Sequence, residues 1–163
     1  MNSDLSEVTV YSDGSARGNP DGPGGYGAVI QFVDRKGILH EKEISGGFVR
    51  TTNNRMELLA AISALEELNR PCSVKIYSDS SYLVNAFNQH WIDGWKKKNY
   101  RRGTEKEVRN IDLWERLLAA MKPHQVEYIW VKGHAGHPGN ERADKLATAA
   151  ADGTDLMTDP GVL

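Results

Sequence analysis

Residues 11–27 read Y-S-D-G-S-A-R-G-N-P-D-G-P-G-G-Y-G. Ahead of them, Val8, Val10 and Tyr11 make a short β-branched and aromatic strand. Behind them, Ala28-Val29-Ile30-Gln31-Phe32-Val33 carries a second one. The segment between is too rich in Gly and Pro for the interior of a helix or strand. Asp13 stands where the first strand runs out, beside backbone that a ligand can approach closely. Such a carboxylate suits a metal ion or a phosphate site. It equally suits a surface turn, where Asp is common.

Working outward, Glu7–Asp13, Gly25–Val33 and Ile38–Phe48 predict three strands in an antiparallel meander, with Asp34-Arg35-Lys36-Gly37 as the second turn. Leu58, Ala61, Ile62, Leu65 and Leu68 share one 3.6-residue stripe, which predicts a helix over Asn53–Asn69 ended by Pro71. Ser73–Ser78 is a fourth strand that stops at Asp79, followed by a short helix over Ser80–Asn88. Ile111–Met121 is another helix, Gln125–Val131 a fifth strand, and Asn140–Ala151 the last helix. Strands first, then strands alternating with helices, predict one mixed sheet with helices on its faces. Residues 1–151 form a single domain on this reading. Residues 152–163, polar with Gly and Pro, are expected to be a disordered tail.

The bulk properties narrow the function classes. A chain of 163 residues is long enough for one domain with a sizeable core. A net charge of −2 gives no overall basic character, so a nucleic-acid partner would need a local patch. The single cysteine, Cys72, excludes an intramolecular disulfide and points to a reducing compartment. The start, Met1–Glu7, has no basic-then-apolar pattern, and no apolar run approaches the ~18 residues of a membrane span. A cytoplasmic location and a monomer are the expectations.

Two patterns mislead. Gly22–Gly27 satisfies G-x-G-x-x-G, but a strand follows it where the dinucleotide fingerprint needs a helix; no nucleotide cofactor is expected. His134 and His137 lack the further ligands of a structural zinc site. The informative set is four carboxylates in four elements: Asp13 and Asp79 at strand ends, Glu57 and Asp144 at stripe edges of two helices. Converging acids repel unless cations neutralise them, and hard divalent ions with oxygen ligands would do so. Each acid also has a plain structural reading. Glu57 can close a capping box with Asn54, Asp79 can cap the helix at Ser80, and Asp144 can be a solvated flank.

Four segments then carry a resemblance. Y-S-D-G-S-A-R-G-N-P (11–20), T-T-N-N-R-M-E-L-L-A-A (51–61), Y-S-D-S-S-Y (77–82) and W-V-K-G-H-A-G-H-P-G-N-E-R-A-D (130–144) resemble, in order, the signatures of type 1 ribonuclease H in its bacterial form. The resemblance implies an α/β ribonuclease H fold: a five-stranded mixed sheet, strand two antiparallel, with helices on both faces. It implies an endonuclease that hydrolyses the RNA strand of RNA–DNA hybrids, leaving 5′-phosphate and 3′-hydroxyl ends. Position by position, it places the metal-binding acids on Asp13, Glu57, Asp79 and Asp144, and the family's mobile catalytic histidine on His134. Two Mg²⁺ ions are implied during catalysis, with Mn²⁺ a possible substitute. Asn19, Asn53 and Asn54 match positions that contact RNA, and Arg50, Thr52 and Asn110 match a pocket that grips a DNA phosphate. Two readings from other classes stand beside it: a catalytically silent hybrid-binding module on the same fold, and a nucleotide-cofactor enzyme built on the Gly-rich loop.

Trp91–Asn110 holds seven basic residues against three acids, in a chain of net charge −2. Lys96, Lys97 and Lys98 sit there, interleaved with Trp91, Trp95 and Tyr100. Basic and aromatic residues in alternation suit a nucleic-acid backbone, and the segment resembles the basic handle of cellular family members.

Overall fold

A computed structural model describes residues 5–18, 22–97, 101–102, 106–107, 109–133 and 136–162. Its strands and helices run β1 (Ser6–Ala16), β2 (Gly24–Val33), β3 (Leu39–Phe48), α1 (Asn53–Glu66), β4 (Cys72–Ser78), α2 (Ser81–Asn88), α3 (Trp91–Lys97), β5 (Arg101–Arg102), β6 (Lys106–Glu107), α4 (Ile111–Met121), β7 (Gln125–Trp130), α5 (Pro138–Ala151) and β8 (Leu156–Met157). The main sheet has the order β7-β4-β1-β2-β3-β8, and β5 and β6 form a separate antiparallel pair. β1–β2 and β2–β3 are antiparallel, whereas β1–β4 and β4–β7 are parallel. The expected five-stranded sheet is therefore present, with strand two antiparallel. Its sixth strand, β8, comes from a segment expected to lack structure.

Consecutive residues of a strand point to opposite faces, and the glycines of β2 show which helix covers which. A Cβ on Gly24 would meet the Met56 side chain of α1, while one on Gly27 would lie 2.5–2.7 Å from Leu146, Ala143 and Ala147 of α5. So α1 and α5 pack on opposite faces. Gly27 is glycine because the α5 backbone leaves no room for a side chain there. The α1 face is the thicker layer. Met56, Leu58, Leu59, Ala61, Ile62 and Leu65 of α1 are buried together with Val10, Val74 and Ile76 of the sheet and Trp114 and Leu117 of α4. A helix enclosed between sheet and helix is buried nearly all round, which is why its apolar residues extend beyond one stripe.

Several boundaries move for physical reasons. β1 does not stop at Asp13 but continues to Ala16, because Asp13–Ala16 pairs with Gly24–Gly27. α1 is capped by Thr52, whose side chain accepts the Arg55 N–H, so Asn54 is not the cap and Glu57 is not its capping-box partner. Ser80, not Asp79, caps α2 through the Leu83 N–H. α5 starts at Pro138, two residues before the predicted start, since proline is tolerated in a first helical turn.

The largest departure is the tail. Leu156–Met157 pairs in parallel with Gly47–Phe48, and Asp159 is buried. Asp159 accepts bonds from Arg55 Nε at 2.7 Å, Arg55 Nη2 at 2.9 Å, the Thr51 hydroxyl at 2.6 Å and the Gly161 N–H at 3.1 Å. Arg55, 2% exposed, also makes a two-pronged pair with Asp112 and donates to Asn110 Oδ1. All five guanidinium N–H donors are thereby used. A charge this deep in the core must be paired, and the tail supplies one of its two partners. Composition read the tail as too polar to order, and the partner that orders it lies 104 residues away.

Burial raises the proton affinity of the Asp159 carboxyl, but its bonds from Arg55 and Thr51 outweigh this and hold it below its ordinary value. A depressed carboxyl contributes stability above its unfolded pKa and loses it as pH falls through the folded value. Urea unfolding should therefore show Asp159→Ala less stable by about 2–3 kcal/mol near neutral pH. The gap between the two proteins should close below about pH 4. An unchanged midpoint at neutral pH would contradict the packing described for the tail.

Candidate active site

At the end of the sheet where β1, β4 and α1 meet lies an open cleft of about 340 Å³ lined by Asp13, Gly14, Asn53, Asn54, Glu57, Asp79, Ser80, Ser81, Tyr82 and Asp144. All four acids singled out in the sequence line it. Asp13, Glu57 and Asp79 each bring a carboxylate oxygen within 4.8 Å of the others. Asp13 and Glu57 are each only 4% exposed. Asp79 and Asp144 are half-buried.

Each acid is held by a different device. β1 carries Asp13 through the sheet centre, and the next residue lets α1 come close. A Cβ on Gly14 would sit 2.5 Å from the Glu57 backbone nitrogen, so only glycine allows strand and helix to touch there. The Gly14 N–H also donates to Asp13 Oδ1 at 2.9 Å. Asp79 follows β4, and its backbone carbonyl accepts from Trp130 Nε1 at 3.2 Å at the end of β7. On α5, Asp144 lies one residue beyond Ala143, which is buried against the sheet. The α5 cap is His137, whose Nδ1 accepts the Asn140 N–H at 3.3 Å, and its ring packs on Tyr11.

The acids raise one another's proton affinity. Burial, and next the Asp79 charge, push the Asp13 carboxyl up to about 8. Burial, and next the Asp13 charge, push Glu57 well above its usual range. Two carboxyl groups so close cannot both ionise in the absence of a cation. Glu57 Oε2 is buried without a hydrogen-bond partner among the described residues. A cluster of hard, anionic oxygens, one of them unpartnered, fits a divalent metal ion such as Mg²⁺ or Mn²⁺.

The other expected site residues divide. Asn53 and Asn54 line the same cleft. Thr52 is the α1 cap and Asn110 the α4 cap. Asn110 adopts a left-handed backbone, φ 63°, makes no side-chain cap bond, and instead donates from Nδ2 to the Tyr82 hydroxyl at 3.1 Å. Arg50 is exposed just before α1. In the basic segment, Trp91 is 39% exposed, whereas Trp95 turns toward the core, its ring edge-on to Trp114 at 5.3 Å. An aromatic expected to meet nucleic acid is in that case partly buried and also packs against the core. Lys96 and Lys97 lie on α3. Asn19, Lys98 and His134 lie outside the described residues.

Reading the sequence missed Gly14, Trp130, Tyr82 and Arg55. Gly14 and Arg55 stand inside quoted motifs, but a local motif carries no sign of which distant atom each touches.

Comparison with known proteins agrees with this geometry. The RNase H family profile matches residues 5–152. Ribonuclease H of Lachnoclostridium phytofermentans is 60% identical over 153 residues, covering 94% of this chain and 97% of that protein. Ribonuclease H of Edwardsiella ictaluri is 52% identical over 157 residues, covering 96% and 97%. The crystal structure of LC9-RNase H1, a type 1 RNase H with the type 2 active-site motif, superposes with a TM-score of 0.83 at 32% identity, covering 97% of this chain and 76% of that one. LC11-RNase H1 in complex with RNA/DNA hybrid superposes with a TM-score of 0.60 at 27% identity, covering 89% and 96%. With the profile spanning nearly the whole domain and relatives above half identity over nearly full length, the chain belongs to the RNase H family and is a ribonuclease H enzyme.

Proposed function

We propose that this ribonuclease H cuts the RNA strand of RNA–DNA hybrids endonucleolytically, leaving 5′-phosphate and 3′-hydroxyl ends, with Asp13, Glu57, Asp79 and Asp144 holding two Mg²⁺ ions. The observation that carries the reading is the convergence of Asp13, Glu57 and Asp79 oxygens within 4.8 Å at an open cleft. The relative LC11-RNase H1, solved with an RNA/DNA hybrid, supports the substrate class. When bound, two divalent cations would supply an activated water and neutralise charge at phosphorus and at the leaving oxygen. Asp13, whose carboxyl interacts with Asp79, Glu57 and Asp144 alike, would serve both ions. Glu57 and Asp144 complete the holding set from opposite helices, and Asp79 joins from β4. The mutual repulsion of these carboxylates is the stored preference for cations. His134 would carry a proton at the reacting phosphate, as an imidazole can near neutral pH.

Selection of a hybrid over duplex DNA requires reading 2′-hydroxyls on one strand. Asn53 and Asn54 face the cleft, and asparagine can both donate to and accept from a hydroxyl. Asn19 would act alongside them. Arg50, Thr52 and Asn110 would grip a phosphate of the DNA strand. Trp91 and the run Lys96, Lys97 and Lys98 would add backbone contacts from the handle. Trp95 supports that handle from beneath, through Trp114.

Asp13→Asn should abolish hybrid cleavage in Mg²⁺, measured on an end-labelled RNA–DNA duplex, and EDTA should do the same to the parent. A variant cutting at near the parent rate would defeat the assignment. The same substitution separates the metal-free proteins by stability. The folded Asp13 carboxyl sits at about 8 against an ordinary 3.8, so the folded state must hold a proton that the unfolded chain releases. This lowers stability progressively as pH rises from about 4 to about 8, and asparagine escapes it. Without metal, Asp13→Asn should melt higher by ~3–6 °C near pH 8, a gain of about 1–2 kcal/mol, with no gain below about pH 4. Added Mg²⁺ should raise the melting temperature of the parent alone.

For the handle, replacing Lys96, Lys97 and Lys98 together by Ala should weaken hybrid binding. It should flatten the dependence of log K on log salt by up to about 3, at roughly 0.9 per lost phosphate contact. Trp91→Ala should weaken binding with little change in that slope, since a ring packs without displacing ions. Fluorescence anisotropy across a salt series, in the Asp13→Asn background, reads both; an unchanged slope for the triple variant would place the affinity elsewhere.

A further inference from the structure

Arg55, Asp112, Asp159, Asn110 and Tyr82 form one connected chain of side chains between the tail and the cleft. Asp159 and Asp112 together grip both edges of the Arg55 guanidinium. The one N–H left over, on Nη1, points at Asn110 Oδ1 at 3.2 Å. A guanidinium has donors only, so it fixes which end of the Asn110 amide faces it. The Oδ1 turns inward and the Nδ2 turns away, toward the Tyr82 hydroxyl at 3.1 Å. Nδ2 carries two hydrogens, and Tyr82 takes one. Tyr82 itself lines the acid cleft and also receives the indole N–H of Trp114 at 3.1 Å.

Two further features mark Asn110 as held from outside. Its backbone is left-handed, and its side chain gives up the cap bond of α4 that its position offers. An asparagine tolerates that backbone, but a lost cap and a strained conformation persist only where the surroundings over-determine them. Here the surroundings are Arg55 and Tyr82. Asp159 also binds the Thr51 hydroxyl, immediately before the α1 cap Thr52. The tail is thus bonded beside the cap of α1 and, through Arg55, to the cap of α4, although Asp159 lies beyond residues 5–152 that match the family profile.

We infer that Asp159 is a positioning residue for substrate: through Arg55 and Thr51 it sets Asn110 and Thr52 in the geometry that takes a phosphate of the DNA strand. This rests on the proposed assignment of Asn110 and Thr52 to phosphate binding. The tail therefore acts on affinity for the hybrid rather than on the hydrolytic step. Among the described residues, the hydrogen bonds of Asp159 go to Arg55, Thr51 and Gly161 and to none of the cleft acids.

The test is a double-mutant cycle of Asp159→Asn and Asn110→Ala, read as KM and kcat on hybrid at a temperature where circular dichroism shows every variant folded. Asp159→Asn should raise KM about fivefold with kcat within about twofold, a loss of binding rather than of transition-state stabilisation. Asn110→Ala should raise KM at least as much. The rise in the double variant should fall well short of the product of the two single rises, because both substitutions disable the Asn110 arm and only the Thr52 arm is left to lose. Additive effects, or an unchanged KM in folded Asp159→Asn, would overturn the inference. If Asn110→Ala itself leaves KM unchanged, the phosphate-pocket reading fails instead, and with it the basis of the inference. Should Asp159→Asn not fold, Asp159→Glu keeps the buried charge and displaces the carboxylate by one methylene. It should show the same KM rise in smaller measure, and a KM equal to the parent's would overturn the inference.

Discussion

The contact between β1 and α1 at Gly14 is the constraint on which the site depends. Two backbones meet there with no room for a Cβ, and the meeting brings Asp13 against Glu57. The fold gains nothing electrostatically from that pairing. Both carboxyls are desolvated, and each holds its proton more tightly than a solvated acid does. A metal-free protein that carries such a cluster has traded stability for a cation-binding centre. The core beneath α1 supplies what the cluster removes, and its buried helix faces both sheet and α4.

Arg55 shows a second use of the same helix. It sits two residues before Glu57 and is as deeply buried, yet its charge is fully compensated by Asp112 and Asp159. Within one turn, α1 holds an acid left without a counter-charge and a base surrounded by them. The first is available to ligands and the second is closed to them. The difference lies in what surrounds each: the like-charged carboxylates of Asp13 and Asp79 for Glu57, and for Arg55 two carboxylates brought by α4 and by the tail. That closed cluster joins the segment around Asp159 to the cleft, so the tail is part of the architecture and not an appendage.

Charge is arranged with the same economy. The chain is slightly acidic as a whole, with acids gathered at the cleft and bases gathered in Trp91–Asn110. An acid-lined site repels a polyanion unless cations intervene, and a separate basic segment can hold that polyanion while they do. Trp95 anchors this segment by packing on Trp114, which in turn donates to Tyr82 at the edge of the cleft. Handle and cleft therefore share a wall of aromatic side chains, Trp91, Trp95, Trp114 and Tyr82, through which their relative position is set.

Strand and helix periods, Gly and Pro punctuation and the four signature segments determined the fold class, the order of five strands and four helices, and the four acids from sequence alone; α3, β5, β6 and β8 were not among them. These signals are local, and each acid sits inside a motif whose neighbours declare its element. Tertiary structure alone decided the rest. Asp13 lies within β1 because Gly24–Gly27 pairs across from it. Glu57 and Asp79 are free of capping because Thr52 and Ser80 do that work. Trp95 packs against the core because Trp114 stands beside it, and residues 156–162 are ordered because Arg55 needs a second carboxylate. In each case the deciding partner is distant in sequence, and no propensity or spacing records which remote side chain will fill a vacant valence. Composition makes a polar tail look soluble, whereas a single buried cation is enough to bring it in.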